Sequence, residues 1–487
     1  MFYFRSVLSW AFLPWFSAHA EVHSPFSAAR VATDPSIGRF SVQFAPDTAC
    51  VCNSSTPGTA GTITSEDVYS GKNSMFFWLF ESKHNPDIDP VILWMTGGPG
   101  ASSVGYGNLM EIGPCRIAPG GGYTVPNEFG WNTNATVIFV DQPVGVGYSR
   151  GERIPNGIVE SSLVMHRFLR QFFLTFPDLT SRDFYIAGES YGGSWVPALA
   201  TTILQSQTLE EALAVQGLGL ESSVSRFTGG PAINLKGIIV GNGLIRQSIQ
   251  NRGFFETACS GPESLFEPSE CLDWAPRAMW CEKNLGICES KGMTSSDCKL
   301  AEKKCSAISA VILEQKHRNP YDFRRECADP PKCYSELYHI DEYLNRTDIK
   351  EAMGVEDHLS FAGLSNEVLQ KWDDLGDLWR PSDKHVNYLL NSGIRVLIYA
   401  GDKDLYCNTA GMRLLVDHGL NWYGQPFIQF RELMPWYNEN KVAGRWKSFE
   451  PLTYAEIAGG GHLAPFDKPQ ASLNLINSWI KGQMPAL

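Results

Sequence analysis

The pattern of apolar and polar residues predicts buried strands that alternate with amphipathic helices. Short apolar runs, typical of strands buried on both faces, are separated by polar or glycine-rich segments. They occupy 75–80, 91–95, 135–140, 184–187, 235–240, 395–399 and 452–457. Apolar side chains recur at helical spacing over 158–176, and Pro177 ends that predicted helix. This alternation predicts the α/β class, with a mostly parallel central sheet and helices on both faces.

Two segments depart from this rhythm. Residues 21–74 are rich in Gly, Ser and Thr and are predicted to form an N-terminal antiparallel edge or an extended arm. Residues 245–377 are charged and cysteine-rich, without a convincing series of strands. We expect the second segment to be an insertion that caps the carboxyl edge of the sheet; a side domain away from the chemistry is the alternative. The predicted organisation is a core of 21–244 and 378–487 around the insertion.

The first twenty residues have the order of a secretory signal peptide. Arg5 precedes an apolar run over 7–16, and Ala18-His19-Ala20 matches the cleavage pattern. Residues 1–20 are therefore expected to be removed, and no later run is long enough to predict a membrane span. The mature chain is expected in the secretory pathway, either secreted or in a vacuole. The glycosylation pattern is found at three asparagines, Asn53, Asn134 and Asn345.

Charge and cysteine content narrow the function classes. The 487 residues carry a formal net charge of −12, and no run of Lys and Arg is interleaved with aromatic residues. Nucleic acid and anionic membrane surfaces are therefore excluded as partners. Twelve cysteines in a secreted chain predict disulfides, and the eight within 245–377 lack the paired C-x-x-C spacing of zinc sites. No metal is expected. The sequence does not indicate disulfide partners for Cys50, Cys52, Cys115 and Cys407.

The candidate nucleophile is a serine between a predicted strand and a predicted helix. Ser190 lies in Gly188-Glu189-Ser190-Tyr191-Gly192, directly after the run 184–187. A serine at such a sharp turn forms a nucleophile elbow, because the flanking glycines permit strained dihedrals and close backbone approach. Ser149 has the same G-x-S-x-G spacing, but it follows a loop rich in Pro and Gly and is predicted to be a loop residue.

A serine nucleophile needs a base and a carboxylate that orients it. Downstream of Ser190, the loop after 395–399 carries Asp402 and Asp404, and three glycines after 452–457 precede His462. The order Ser, acid, His is that of hydrolases built on a parallel sheet. The glycine-rich loop after 91–95 is placed to donate backbone N–H groups to an oxyanion.

Five motifs in order make the chain resemble the serine carboxypeptidases of the α/β-hydrolase fold. They are WMTGGPG at 94–100, DQPVGVGYS at 141–149, GESYGG at 188–193, GDKDLYCN at 401–408 and GHLAP at 461–465. The resemblance extends from about residue 40 to the end. It implies a serine-type carboxypeptidase without a cofactor, which releases C-terminal residues of peptides and proteins through an acyl-serine.

The resemblance also implies the role of each site residue. Ser190 is the nucleophile, His462 the general base, and Asp404 rather than Asp402 the orienting acid, because the family's acid lies three residues before a cysteine, here Cys407. The oxyanion hole is formed by the backbone N–H groups of Gly98 and Tyr191. The carboxylate of the peptide is bound by a further set of residues: Trp94, Thr96, the N–H of Gly97, Glu111 and Glu189.

Two glutamates near a bound carboxylate have a consequence for pH. Three ionised carboxylates at hydrogen-bonding range repel one another, so at least one proton must be shared among them. Substrate binding is therefore expected to be best at acid pH. The sequence does not predict the oligomeric state.

Three positions differ from the usual family pattern. Thr96 stands where asparagine is usual, Leu463 where methionine is common, and Ala101 where a cysteine is usual. The last change removes one disulfide to the insertion, and Cys115 is a candidate to replace the missing cysteine. Threonine in place of the asparagine is familiar in the plant acyltransferases of this family, so an acyltransferase with the same triad is the alternative activity.

Overall fold

The computed structural model describes residues 30–34, 38–56, 58–67, 71–215, 230–260, 263–314, 316–327 and 329–483. The predicted signal peptide, 1–20, lies outside these residues. The strands in the described residues are β1 Arg30–Asp34, β2 Gly38–Phe44, β3 Gly58–Asp67, β4 Gly71–Phe80, β5 Val91–Met95, β6 Cys115–Ile117, β7 Thr124–Pro126, β8 Thr136–Val140, β9 Arg150–Gly151, β10 Phe184–Glu189, β11 Leu235–Gly241, β12 Arg318–Asn319, β13 Asp322–Glu326, β14 Arg395–Gly401, β15 Met434–Asn438, β16 Lys441–Phe449 and β17 Leu452–Ile457.

The helices of the described residues follow the same chain order. The α-helices are α1 Gly157–Thr175, α2 Gly192–Val215, α3 Gln247–Ser260, α4 Pro268–Lys291, α5 Ser296–Glu314, α6 Ser335–Leu344, α7 Thr347–Ala352, α8 Asn366–Asp374, α9 Asp383–Asn391, α10 Thr409–Leu414, α11 Gln425–Ile428, α12 Ala464–Asp467 and α13 Pro469–Ile480. Two π-helices, Ser103–Ile112 and Leu415–Gly419, and two 3₁₀ turns, Trp131–Thr133 and Pro177–Leu179, complete the set.

One large sheet carries the fold. Its strand order is β1-β2-β3-β4-β8-β5-β10-β11-β14-β17-β16-β15, and β9 pairs with β4. The six strands β8, β5, β10, β11, β14 and β17, adjacent in this order, are parallel, which confirms the mostly parallel central sheet predicted from the apolar runs. Both flanks are antiparallel, and the N-terminal flank β1–β4 lies where the sequence predicted an edge or an arm.

The hairpin β15–β16 was missed by the sequence analysis. Its turn residues, Glu439 and Asn440, both have positive φ, 48° and 63°. Two-residue turns of this kind match the twist of the strands that they join, but Glu-Asn is not the Asn-Gly or Asp-Gly signal that identifies them in a sequence. The hairpin makes the sheet mixed at its second edge as well.

The core lies on both faces of the parallel strands. Side chains alternate along each strand, so Leu93 packs on one face and Ile92 on the other. Helices α1, α2 and α9 cover the first face, and α13 with the π-helix Ser103–Ile112 covers the second. This two-sided burial is the physical reason for the continuous apolar runs, and it confirms the predicted helices on both faces.

The cysteine-rich segment is mainly helical in its first part and is held by its own disulfides. It contains α3 to α8 and the small hairpin β12–β13. Its four disulfides are Cys259–Cys271, Cys281–Cys305, Cys288–Cys298 and Cys327–Cys333. Cys115 pairs with Cys52, so the expectation that Cys115 replaces a family disulfide to this segment is wrong. Cys50 is an exposed thiol and Cys407 a buried one.

Candidate active site

Ser190 lies at a sharp turn between β10 and α2. Its φ is +61°, a backbone conformation that residues other than glycine rarely adopt. The turn is held by hydrogen bonds on both sides: Ser190 N donates to the carbonyls of Gly241 and Asn242 at 3.1 Å, and Leu244 N donates to Ser190 O at 2.8 Å. These contacts over-determine the strained backbone and fix the serine at the carboxyl edge of the sheet.

Glycines bring a second loop against this turn. A Cβ added to Gly97 would lie 2.5 Å from Tyr191 N and 2.6 Å from the Ser190 Cβ, so only glycine fits there. The adjacent Gly98 is exposed and has a φ of +106°. The Tyr191 side chain points into the core, where its hydroxyl donates to Asp377 O at 2.7 Å. The backbone of Gly98 and Tyr191 therefore flanks Ser190.

The serine of the second G-x-S-x-G sequence lies elsewhere. Ser149 is fully buried; its hydroxyl donates to Asp141 O at 2.6 Å and accepts from Phe76 N at 2.8 Å. Both bonds connect the loop to the sheet. The hydroxyl of Ser149 therefore has a structural role, in agreement with its prediction as a loop residue.

The structure brings Asp404 and His462 into direct contact. Asp404 Oδ2 and His462 Nδ1 are 2.7 Å apart, and their residues are 0% and 4% exposed. Their loops follow the neighbouring parallel strands β14 and β17, and a Cβ on Gly401 would lie 2.2 Å from Gly461 O. The close packing of these two loops is what makes the contact.

Asp402, the other candidate acid, is occupied differently. Its Oδ1 accepts from Gly459 N at 2.6 Å, so it fastens the glycine-rich loop before the histidine. His462 is further held by its own backbone, whose N–H donates to Tyr321 O at 2.7 Å. Tyr321 comes from the cysteine-rich segment, which therefore supports the histidine directly.

Ser190 and His462 line the same cavity, of about 260 Å³. Gly98, Trp379 and Cys407 are also in its wall, and the cysteine-rich segment contributes Phe254, Cys305 and Tyr321, among others. None of the described residues that line it is Asp, Glu, Lys or Arg. The cavity beside the serine combines aromatic and aliphatic side chains with polar ones such as Gln247 and Asn251, a surface suited to uncharged side chains.

The residues predicted to bind a carboxylate are buried and form a separate cluster. Trp94, Thr96, Glu111 and Glu189 are at most 7% exposed, and none of them lines the 260 Å³ cavity. Trp94 Nε1 donates to Thr96 Oγ1 at 2.9 Å. A Cβ on Gly107 would lie 2.2 Å from Trp94 Nε1, so this glycine makes room for the tryptophan. Thr96 N donates to Ser103 Oγ at 3.1 Å.

Glu111 and Glu189 form a buried acid pair. Glu111 belongs to the π-helix Ser103–Ile112 and Glu189 ends β10, and the two carboxyl groups lie close enough for each to influence the pKa of the other. Burial raises the pKa of Glu111 to about 7. Burial, followed by the charge of Glu111, raises the pKa of Glu189 well above its ordinary value. The pair therefore holds a proton at neutral pH.

Sequence reasoning missed Asn242. This residue follows β11, is fully buried, and its Nδ2 donates to Asp404 Oδ2 at 2.8 Å. Its position between Gly241 and Gly243, directly after a buried strand, is the signal that could have identified it.

The site also contains atoms that resemble a metal-ligand set. One ligand atom each of Asp404, Cys407 and His462 lies within 4.8 Å of the others. A metal ion there would have to break the hydrogen bond of 2.7 Å between Asp404 and His462. Burial also raises the pKa of the Cys407 thiol well above its ordinary value, which opposes the thiolate form that binds metals.

The three predicted glycosylation sites differ in their surroundings. Asn53 and Asn345 are exposed and Asn134 is half-buried. Asn345 Nδ2 donates to Asp341 O at 2.8 Å, and Asn134 Oδ1 accepts from Asn477 Nδ2 at 2.9 Å. Their modification stays a prediction.

Within the described residues, no helix combines the length and the apolar character that crossing a membrane requires.

Comparisons with known proteins agree with these features. The family model described as serine carboxypeptidase matches residues 58–482. Carboxypeptidase Y of Schizosaccharomyces pombe is 36% identical over 413 residues, which are 84% of this chain and 40% of that protein. A vacuolar serine-type carboxypeptidase of Saccharomyces cerevisiae is 33% identical over 421 residues, covering 85% of this chain and 78% of that protein.

A solved structure shows the same fold. The prohormone-processing carboxypeptidase Kex1 from Saccharomyces cerevisiae has a TM-score of 0.71 to this chain. The match covers 90% of this chain and 93% of the other, at 24% sequence identity. The fold is therefore shared over nearly the whole chain.

Proposed function

The chain belongs to the serine carboxypeptidase family, and we propose that it releases the C-terminal residue of peptides through an acyl-serine intermediate at Ser190. The observation that carries this proposal is the Asp404–His462 hydrogen bond of 2.7 Å beside a cavity that Ser190 also lines. The relatives compared are named carboxypeptidases, which favours hydrolysis over the acyltransferase alternative.

His462 acts as the base in the first half of the reaction. Its Nδ1 is directed at Asp404, so the other ring nitrogen, Nε2, is the one that can take the Ser190 proton. Ser190 Oγ then bonds to the carbonyl carbon of the last peptide bond. When that C–N bond breaks, His462 gives the proton to the leaving amine, and the rest of the peptide stays esterified to Ser190.

The second half of the reaction reverses these roles. Water attacks the ester carbonyl, His462 takes one of its protons, and the Ser190 oxygen leaves and is reprotonated. In both halves the negative oxygen of the tetrahedral intermediate is stabilised by backbone N–H groups of Gly98 and Tyr191. The close packing of Gly97 on Tyr191 N supports this assignment, because it fixes the two donors relative to Ser190.

The acid pair confers specificity for a free C-terminus. We assign the peptide carboxylate to Thr96, Gly97 N–H, Glu111 and Glu189, with Trp94 orienting Thr96 through its hydrogen bond of 2.9 Å. A buried pair that keeps a proton can donate to a carboxylate, whereas two ionised glutamates would repel it. The raised pKa values of the pair support binding at acid and neutral pH.

The place of action follows from the same reasoning. An enzyme whose substrate site works best when protonated suits an acidic compartment. One relative is named as vacuolar, so we assign this chain to the secretory pathway with the vacuole as its destination. Peptide and protein C-termini are its substrates.

A blocked dipeptide tests the proposed function. Wild-type protein should release the free C-terminal amino acid between pH 4 and 7, and the same dipeptide with an amidated C-terminus should be a poor substrate. Ser190→Ala should abolish release. Ser149→Ala, which changes the other G-x-S-x-G serine, should lower stability but keep the turnover of the folded protein. Activity retained by Ser190→Ala, or ester turnover without any release of amino acid, would contradict the proposal.

A further inference from the structure

Asn242 contacts two members of the candidate triad, Ser190 through its backbone and Asp404 through its side chain. Its backbone N donates to Tyr399 O at 2.8 Å and its carbonyl accepts from Ser190 N at 3.1 Å. Its side chain reaches the other way: Nδ2 donates to Asp404 Oδ2 at 2.8 Å and Oδ1 accepts from Gly401 N at 3.2 Å. One residue thus joins the turn of the nucleophile to the loop of the acid.

The buried charge of Asp404 gives this contact its importance. Asp404 is 0% exposed, and its Oδ1 has no hydrogen-bond partner among the described residues. Both donors, His462 Nδ1 and Asn242 Nδ2, are on Oδ2. A buried carboxylate with so few donors depends strongly on each one, and a second donor keeps Oδ2 from rotating away from the imidazole.

The orientation of the Asn242 amide is fixed by its own partners. Gly401 supplies an N–H, which only the amide oxygen can accept, so the NH₂ group must face Asp404. The backbone is equally specific, because φ of Asn242 is +41°, a region that Asn, Asp and Gly tolerate better than other residues. Both features require an asparagine-shaped side chain at this place.

We propose that Asn242 is a positioning residue that acts through Asp404. It holds Oδ2 on the His462 ring and so keeps the imidazole in the tautomer that can accept the Ser190 proton. This inference rests on the proposed function, since it concerns the same triad. It does not make Asn242 a catalytic residue, because the amide contacts neither the substrate nor the atoms that react.

Two variants suit the positive φ of position 242: one removes both the donor to Asp404 and the acceptor for Gly401 N, and the other changes only the donor. Asn242→Gly removes the amide at a φ that glycine adopts freely. Asn242→Asp keeps the shape and still accepts from Gly401 N, but it can donate to Asp404 only while its carboxyl is protonated. Asn132→Gly is the matched control: Asn132 is also 0% exposed, and its Nδ2 donates to Glu81 O, at the opposite edge of the sheet.

The two variants should differ in their dependence on pH. We expect Asn242→Gly to lower kcat for the blocked dipeptide about 10- to 100-fold, with KM nearly unchanged and a constant ratio to wild type from pH 4 to 7. Asn242→Asp should be close to wild type at pH 4 and fall behind as pH rises, because two adjacent carboxylates repel once both are ionised. Asn132→Gly should keep the wild-type kcat.

The surroundings of Asp404 make this readout interpretable. The titratable groups that face it from the packed elements are His462, Cys407, Glu189, Tyr321 and Tyr334. All of them are present in wild type and in every variant. The change in the ratio of variant to wild type therefore reports the group at position 242.

A double variant separates positioning from general stability. If Asn242 acts through Asp404, adding Asn242→Gly to Asp404→Ala should cause no further loss of kcat. A further tenfold loss, or identical ratios for Asn242→Asp and Asn242→Gly at every pH, would overturn the inference. Those results would leave the proposed function intact, whereas full activity of Ser190→Ala would contradict that function whatever Asn242 does.

Discussion

Changing Glu111 to glutamine should alter the response of KM to pH. Burial raises the pKa of Glu111 to about 7, and its partner Glu189 has a pKa raised well above the ordinary value. As pH rises through about 7, the pair therefore becomes negatively charged next to the site assigned to the substrate carboxylate. We expect KM for the blocked dipeptide to rise with pH, because a negative pair repels an anionic ligand.

The size of the effect follows from the pKa. If only the protonated pair binds, KM increases by the factor 1 + 10^(pH − pKa), which is about 1.1 at pH 6 and about 11 at pH 8 for a pKa of about 7. In Glu111→Gln the titrating group becomes a neutral amide of the same shape. Glu189 remains: burial still raises its pKa, but the charge of Glu111, the second cause, is removed, so the pH at which KM rises should change.

Steady-state kinetics from pH 5 to 8 measure this directly. The same dipeptide with an amidated C-terminus is the control, since an uncharged end should not show the rise in KM. The triad is the same for both substrates, so any effect of pH on kcat and kcat/KM that the two substrates share does not concern the carboxylate site. An unchanged increase in KM for Glu111→Gln between pH 6 and 8 would refute the assignment of the pair to the carboxylate site.

Two further substitutions test the neighbouring contacts. Thr96→Val should raise KM about tenfold and lower the free energy of unfolding by about 1–3 kcal/mol, because Trp94 Nε1 loses its buried acceptor; Thr96→Ser should restore both values in kinetic and urea-unfolding measurements. A wild-type KM for Thr96→Val would remove the threonine from the site. Gly97→Ala should lower kcat at least 100-fold, since the new Cβ would meet Tyr191 N at 2.5 Å, whereas Gly286→Ala in α4, with open space around it, should keep wild-type kcat. An active Gly97→Ala protein would show that the two loops need not pack so closely.

The apolar runs alone determined the centre of the fold. Strands β5, β8, β10, β11, β14 and β17 are buried on both faces, so their sequences are apolar without alternation and are readable in isolation. The order of Ser190, Asp404 and His462 after three of these strands was readable for the same reason. Loops at the carboxyl ends of parallel strands meet at one edge whatever their separation in sequence.

The sequence did not predict features that depend on contacts between distant segments. Cys52 and Cys115 are 63 residues apart, and no local pattern connects them. The turn of the β15–β16 hairpin has positive φ at Glu439 and Asn440, and these residue types do not announce such a turn in a sequence. The four disulfides of the insertion could likewise be identified only once the positions of its helices were known.

The features of the candidate site likewise fall into those that the sequence predicted and those that only the tertiary structure decided. The sequence predicted the side chains to which the reaction is assigned, because motifs and the order of strands can be read along the chain. The resemblance to a known family had already implied Asp404 rather than Asp402 as the acid, and the contact with His462 agrees with that choice. Tertiary structure alone decided that Asn242 supports that acid and that burial raises the pKa values of Glu111 and Glu189. Burial and hydrogen-bond distance are properties of packing between segments, and these properties set the pKa values on which the proposed reaction depends.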